Sequence, residues 1–145
     1  MDRLPTAEAL KKRNVIINPS FCKFCESSEE TAEHIFIGCQ SAAVIWNIVS
    51  SWCKIPGIFA FSVKDLFTIF RDLRVSEKKR DAVQGIVMIT CWCIWRARNK
   101  ARFSDSTFKI ENIVSEVKAL GFLWFSRRSK YKDLVWDDWC SFVNI

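Results

Sequence analysis

The chain has 145 residues, of which 50% are hydrophobic and 14% aromatic, a composition that argues against disorder. Only four Gly and three Pro argue against a sheet-rich fold full of tight turns. The net charge is +6, and residues 1–60 carry six Lys/Arg and six Asp/Glu, whereas residues 61–145 carry sixteen and ten. We therefore expect a single small all-α domain, with its excess positive charge in the second part.

Neither a secretory signal nor a membrane span is expected. The opening Met1–Thr6 lacks the apolar stretch of a signal peptide. The most apolar run, Gly85–Trp95, is about half of the roughly 20 residues needed to cross a bilayer. We expect a nuclear or cytoplasmic protein that is not secreted.

Helical periodicity and cap signals organise most of the chain. Thr6 and Ser76 are candidate N-caps, and Ser62 with Asp65 approximates a capping box. The stretch Ile86–Trp95 is apolar all round, which predicts a position at the centre of the core. The predicted helical segments, in chain order, are Thr6–Arg13, Thr31–Gly38, Ser41–Trp52, Ser62–Arg71, Ser76–Arg102, Thr107–Ser129 and a short final segment with Trp136 and Trp139.

One apolar stripe and one break complete this outline. In the helix from Ser41, apolar residues recur every three or four positions, which predicts that one face of this helix is buried. Pro56-Gly57 is the clearest break, and it divides the predicted domain into residues 1–55 and residues 58–145. The residues of the predicted stripe are Val44, Ile45, Ile48, Val49 and Trp52.

Seven cysteines, an odd number, favour metal ligation over a full set of disulfides in a chain that is not secreted. Four potential ligands follow the pattern Cys22-x2-Cys25-x8-His34-x4-Cys39. Three thiolates and one imidazole complete a tetrahedral shell, which selects zinc and leaves no open position for catalysis. The pattern predicts one structural Zn²⁺ in an N-terminal CCHC knuckle; the alternative is that these are incidental buried thiols.

The spacing of the second pair of ligands restricts the backbone between them. On a continuous α-helix, positions five apart such as His34 and Cys39 lie about 140° apart around the axis. The helix must therefore end between them, and Gly38 is where we expect a left-handed residue to end it. The other four cysteines are expected to be ordinary core thiols: Cys53, Cys91, Cys93 and Cys140.

These residues resemble a known family, the reverse transcriptase zinc-binding domain of plant LINE-type (non-LTR) retrotransposons. Nearly the whole chain carries the likeness, although Lys23 stands where the family often has Pro and no polymerase is present. The resemblance implies an accessory module of retrotransposon origin, cut free of its enzyme. The matching segments are Asp2–Thr6 with Leu10 and Arg13, the ligand core with Thr31–His34, His34-Ile35-Phe36 and Cys39, Ala43–Trp46, Ile94-Trp95 with Arg98-Asn99 and Phe103, Phe122-x-Trp124 with Arg127 or Arg128, and Trp136-x2-Trp139.

A basic helical face is the predicted site for RNA or single-stranded DNA. Residues 71–132 carry fifteen Lys/Arg and six Asp/Glu, a charge that suits an anionic partner. Cations at helix C-termini are also favoured by the helix dipole without any partner, and a solvated face that aids solubility is a further alternative. The predicted contacts are Lys78, Lys79, Arg80, Arg96, Arg98, Lys100, Arg102, Arg127, Arg128 and Lys130.

Two other classes of function compete with this prediction. Seven Trp exceed what one small core readily hides, so leftover aromatics are candidate contacts for a protein partner. An enzyme is disfavoured because the single His is assigned to the metal and no nucleophile with a base, or phosphate-cradling Gly loop, is visible. We accordingly expect no catalysis, no small-molecule substrate and no membrane association.

Overall fold

The computed structural model describes residues 4–14, 20–104, 106–128 and 130–145, and these are mostly helical. Within these ranges no strand forms, and none of the helices has the length and apolarity to span a bilayer. The helices are α1 (Ala7–Lys12), α2 (Gln40–Trp52), α3 (Val63–Leu66), α4 (Glu77–Phe103), α5 (Ile110–Ser126) and α6 (Trp136–Ser141), with a π-helical turn at His34–Gly38 and a 3₁₀ turn at Ile69–Asp72.

Three helices begin at the predicted caps. The Thr6 hydroxyl accepts from the Ala9 N–H at 3.2 Å, and the Ser76 hydroxyl accepts from the Lys79 N–H at 3.2 Å. Ser62 and Asp65 form a reciprocal capping box at the start of α3. Each cap satisfies a backbone N–H that has no partner within the helix.

The helix predicted over Ser62–Arg71 is interrupted. It ends at Leu66, and a separate 3₁₀ turn follows at Ile69–Asp72. The Thr68 hydroxyl donates to the Asp65 carbonyl at 3.1 Å, so a side chain occupies an acceptor near the point where the helix stops. Such local side-chain hydrogen bonds compete with helix continuation.

The long helices α4 and α5 pack antiparallel as the centre of the fold. Arg96 pairs with Glu116, and further along the pair a Cβ on Gly85 would overlap the Trp124 ring. The predicted Thr107 start is three residues early, because α5 begins at Ile110 after the extended Lys109. The predicted end at Ser129 lies outside the described residues.

An aromatic cluster joins α2, α5 and α6. The rings of Trp52 and Trp139 meet edge to face at 5.2 Å between centroids. The Trp52 indole N–H donates to the Trp139 carbonyl at 3.0 Å, and the Trp139 indole N–H donates to the Lys118 carbonyl at 2.8 Å. Both buried indoles are therefore hydrogen-bonded, as buried Trp side chains require.

Two predicted burial patterns are only partly right. Trp92, at 56% exposure, and Met88 lie on the outer side of α4, so the Ile86–Trp95 stretch is not buried all round. In α2, Ile45, Val49 and Trp52 are buried as predicted, whereas Val44 and Ile48 are exposed. Each pair lies one helical turn apart, which places its two side chains on one outward face.

Candidate metal centre

The first two ligands lie on a tight knuckle closed by backbone hydrogen bonds. The Cys22 N–H donates to the Ser28 carbonyl at 2.8 Å, and the Glu26 N–H donates to the Cys22 carbonyl at 2.8 Å. Glu26 adopts the left-handed conformation, with φ of 55°. The chain therefore reverses directly after Cys25, which turns both sulfurs to one side.

A π-helical turn positions His34 and Cys39. The Cys39 N–H donates to the His34 carbonyl at 2.8 Å, which is an i→i+5 bond. The wider turn brings positions five apart towards the same face, so it removes the separation that an α-helix would impose. The helical turn ends at Gly38 as predicted, but the predicted left-handed residue is wrong, because no described glycine has positive φ.

The four ligand atoms converge. The Cys22, Cys25, His34 and Cys39 donors all lie within 4.8 Å of one another, with Cys22 Sγ 3.9 Å from Cys39 Sγ and Cys25 Sγ 3.2 Å from His34 Nε2. A tetrahedral zinc with Zn–S bonds of about 2.3 Å requires sulfur–sulfur separations of about 3.8 Å. Three sulfurs and one imidazole at this spacing fit one structural Zn²⁺.

Hydrogen bonds surround the ligand sulfurs, and the one shared by Cys22 and Cys39 raises the pKa of the Cys22 thiol while it lowers the pKa of Cys39. The Phe24 N–H donates to Cys22 Sγ at 3.4 Å, and the Ser27 hydroxyl donates to Cys25 Sγ at 3.3 Å. A hydrogen bond from the Cys22 thiol lowers the pKa of Cys39 to about 5, and the backbone N–H groups of Ser41 and Ala42 at the start of α2 add to this. Cys39 is thus poised to bind as a thiolate.

The remaining cysteines lie apart from this cluster. Burial raises the pKa of Cys53, Cys91 and Cys93 to about 12 in each case, which keeps them as neutral thiols. Cys140 is half-buried on α6. These thiols therefore have surroundings unlike those of the ligand cysteines.

A buried ion-pair network behind the knuckle was not predicted. Glu30 is fully buried and accepts from the Ala7 N–H at 2.7 Å. Its carboxylate also pairs with Arg98 and with Arg102, whose Nη2 lies 2.7 Å from Glu30 Oε2. Arg98 and Arg102 further donate to the Pro5 and Phe21 carbonyls at 3.1 and 2.8 Å. The two arginines therefore hold α1 and the knuckle against α4.

This network removes two residues from the predicted nucleic-acid surface. The Arg98 and Arg102 side chains are 1% and 4% exposed, so their guanidinium groups face the protein interior rather than a partner. Their net charge is also partly compensated by Glu30. Arg98 and Arg102 at the end of α4 therefore have a structural role, and their spacing in the sequence does not distinguish that role from nucleic-acid binding.

The cluster of Lys78, Lys79 and Arg80 also has partners within the chain. Lys78 Nζ donates to the Asn144 carbonyl at 2.8 Å, and Lys79 Nζ donates to the Lys54 carbonyl at 3.2 Å. Arg80 Nη2 donates to the Leu73 carbonyl at 2.9 Å. These cations bind carbonyl groups of neighbouring loops, which explains their presence in the first turns of α4 despite an unfavourable helix dipole.

The other predicted cations lie nearer to solvent. Lys100, Arg127 and Arg128 are exposed, and the Arg128 guanidinium lies over the Trp124 ring at 5.1 Å. Arg96 pairs with Glu116, and Lys130 forms a long exposed pair with Glu77 at 3.4 Å. The cations of this group that lie on α4, or at the end of α5, define a surface that we call the α4–α5 basic face: Arg96, Lys100, Arg127 and Arg128.

Comparison with known proteins supports the metal centre. Residues 1–46 match the family described as zinc-binding in reverse transcriptase. The match contains all four ligands and ends within α2, so it confirms the resemblance for this part of the chain. No curated protein and no solved structure matches the chain.

Proposed function

We propose that this chain is a non-catalytic zinc-binding accessory module of retrotransposon origin that binds single-stranded nucleic acid, RNA or DNA, through the α4–α5 basic face. The zinc centre serves the fold in this proposal, because its closed donor set leaves no position for substrate. The single His lies within that donor set and is not available as a general base. A reverse transcriptase acts on nucleic acid, so a module from such a protein is suited to hold template or product.

The proposal rests on the basic residues of the α4–α5 basic face, which stay exposed or partly exposed, whereas Arg98, Arg102 and the Lys78–Arg80 cluster bind groups within the protein. Lys100, Arg127 and Arg128 are exposed, and Arg96 is partly exposed beside Glu116. By contrast, the zinc knuckle contributes three thiolates, which leave a bound site with a formal charge of −1. Phosphate contacts are therefore expected on the helical part rather than on the knuckle.

Fluorescence anisotropy with labelled oligonucleotides tests the proposal. Zinc-loaded protein is titrated into single-stranded RNA, single-stranded DNA and duplex at two salt concentrations. We expect saturable binding to single strands that weakens with salt. Replacing Arg127 and Arg128 together with Ala should weaken binding and lower the salt slope by about one for each phosphate contact removed.

The matched control removes two exposed lysines of α1. Lys11→Ala with Lys12→Ala lowers the net charge by the same amount, but in α1, near the start of the chain. Equal losses in both double variants would mean that net charge alone causes the binding. Absence of binding by the wild-type protein at low salt would refute the proposed function.

A second candidate function rests on a different surface. Phe59 and Phe61 are 87% and 100% exposed, and Phe59 borders an open groove of about 440 Å³ in which none of the described lining residues is charged. Exposed apolar surface of this kind is typical of protein-interaction sites. Under this alternative, Phe59→Ser with Phe61→Ser would abolish a self-association or polymerase contact while leaving oligonucleotide binding unchanged.

A further inference from the structure

An exposed tryptophan lies beside the α4–α5 basic face. Trp92 is 56% exposed, and Met88, one turn before it on α4, is also exposed. Both belong to the most apolar stretch of the chain, whose other side packs into the core. Exposing an indole to water is unfavourable for a free protein, so this side chain is a candidate contact for a ligand.

The second helix completes a platform around this indole. Trp92, Leu120, Leu123, Trp124 and Arg127 line an open cavity of about 350 Å³ between α4 and α5. The floor of the cavity is apolar, and among the described residues that line it the one with a charge, Arg127, is a cation. An apolar floor with a cation at the edge suits a flat aromatic ligand that carries negative charge.

Cations lie on both sides of Trp92 along the helix pair. Arg96 is one turn further along α4, about 6 Å in rise from Trp92, and Lys100 follows one turn later. On the other side, Arg127 borders the cavity and Arg128 lies over Trp124. Glu116 is bound to Arg96 within this group, and the carboxylates of Asp81 and Glu77 lie near Tyr131 together with Arg128.

We infer that Trp92 is a base-stacking residue, on which an unpaired base of single-stranded nucleic acid lies while the neighbouring phosphates meet Arg127 on one side and Arg96 and Lys100 on the other. This inference rests on the proposed function and assigns it a site. Every base has a π-face, so stacking of this kind tolerates any sequence. A duplex keeps its base faces within the stack and cannot use the indole in this way.

Charge favours nucleic acid over a protein as the occupant of this surface. The groove beside Phe59 has the character of a protein-interaction site, whereas the cavity at Trp92 is bordered by the Arg127 guanidinium, and the Arg128 guanidinium lies over the Trp124 ring. Phosphates on each side of a stacked base complement that arrangement.

The test compares two exposed tryptophans. Trp92→Ala is set against Trp136→Ala, because Trp136 is 44% exposed but lies beside Asp137 and Asp138 on α6. Anisotropy is measured with labelled uridine and thymidine oligonucleotides, which distinguish RNA from DNA, and with abasic versions of the DNA. Melting curves of both variants verify the fold.

We expect Trp92→Ala to weaken binding about tenfold with an unchanged salt slope, since stacking is lost and no cation is removed. Trp92→Phe should retain part of the affinity, Trp136→Ala should bind like wild type, and abasic DNA should bind wild type and Trp92→Ala equally.

Two results would overturn the inference in distinguishable ways. If wild type binds single strands and Trp92→Ala binds them equally well, the stacking site is wrong and the proposed function stands. If wild type binds no nucleic acid, both fail; a Trp92→Ala variant that then changes an oligomer into a monomer on size-exclusion chromatography would assign the surface to a protein contact.

Discussion

Arg98 and Glu30 form a buried ion pair that joins α4 to the segment carrying the zinc ligands. Arg98 Nε donates to Glu30 Oε2 at 3.1 Å, and both side chains are almost completely shielded from water. Arg98 lies beyond residues 1–46, the part of the chain that matches the family described as zinc-binding in reverse transcriptase. The knuckle therefore depends on a side chain from outside the matching segment for its position.

Removing Arg98 should destabilise the protein strongly. Arg98→Met keeps most of the side-chain volume but leaves the Glu30 carboxylate without a principal partner, and breaking a buried ion pair typically lowers the free energy of unfolding by about 3–5 kcal/mol. Urea denaturation measures this change. Lys12→Ala, which breaks an exposed pair with Glu8, should change stability by less than about 1 kcal/mol; similar effects of the two substitutions would contradict the structural role of Arg98.

The same pair should make stability depend on acidic pH. Burial alone would raise the pKa of Glu30, but hydrogen bonds from Arg98 and Arg102 hold it below its ordinary value of 4.5. A lowered native pKa contributes stability that is present above the unfolded pKa and is lost as pH falls through the native pKa. Denaturation at several pH values should therefore show a smaller loss between pH 5 and pH 3 in Glu30→Gln than in wild type. An identical acid dependence in both proteins would show that Glu30 is not held ionised.

Thiol alkylation should report the two classes of cysteine. In zinc-loaded native protein, the metal shields the three ligand cysteines. Burial keeps the thiols of Cys53, Cys91 and Cys93 neutral. The half-buried Cys140 should therefore react first with iodoacetamide. A chelator should add the three ligand cysteines to the labelled set before the buried thiols. Mass spectrometry of peptides locates each label. Early labelling of Cys53 or Cys93 with the ligand cysteines still protected would contradict these environments.

Gly85 should not tolerate a methyl group. A Cβ there would lie 2.1 Å from two ring atoms of Trp124, so Gly85→Ala must displace the indole that lines the α4–α5 cavity. Overpacking typically costs about 1–3 kcal/mol, which exceeds or offsets the gain of up to about 1 kcal/mol in helix propensity. Thermal melting should show a lower Tm for Gly85→Ala than for the control Gly57→Ala, whose site is exposed. A higher Tm for Gly85→Ala would mean that the two helices are further apart.

The metal ligands were predictable because their constraint is local. The spacing of Cys22 and Cys25 and the caps at Thr6, Ser62 and Ser76 depend on a few neighbouring residues, and the structure confirms them. The π-helical turn was not predicted, because the demand for a break between His34 and Cys39 is met equally well by several backbone geometries.

The spacing of residues in the sequence does not reveal contacts between residues that are far apart in the chain. Glu30 gives no signal in its own segment, and its pairing with Arg98 joins residues 68 positions apart. Trp92 follows the same apolar pattern as its buried neighbours, so only the packing of α5 determines that it faces outward. A basic residue that pairs inside the protein and one that awaits a ligand look alike until the fold brings their partners together.

Zinc stoichiometry measured by native mass spectrometry tests the central claim most directly. We predict one Zn²⁺ per wild-type chain, one in Cys140→Ser, and none in Cys25→Ser, because loss of one thiolate opens the tetrahedral shell. The Cys25→Ser protein should also melt at a lower temperature than wild type. A wild-type chain without metal, or a Cys25→Ser chain that retains zinc and an unchanged melting temperature, would contradict the account.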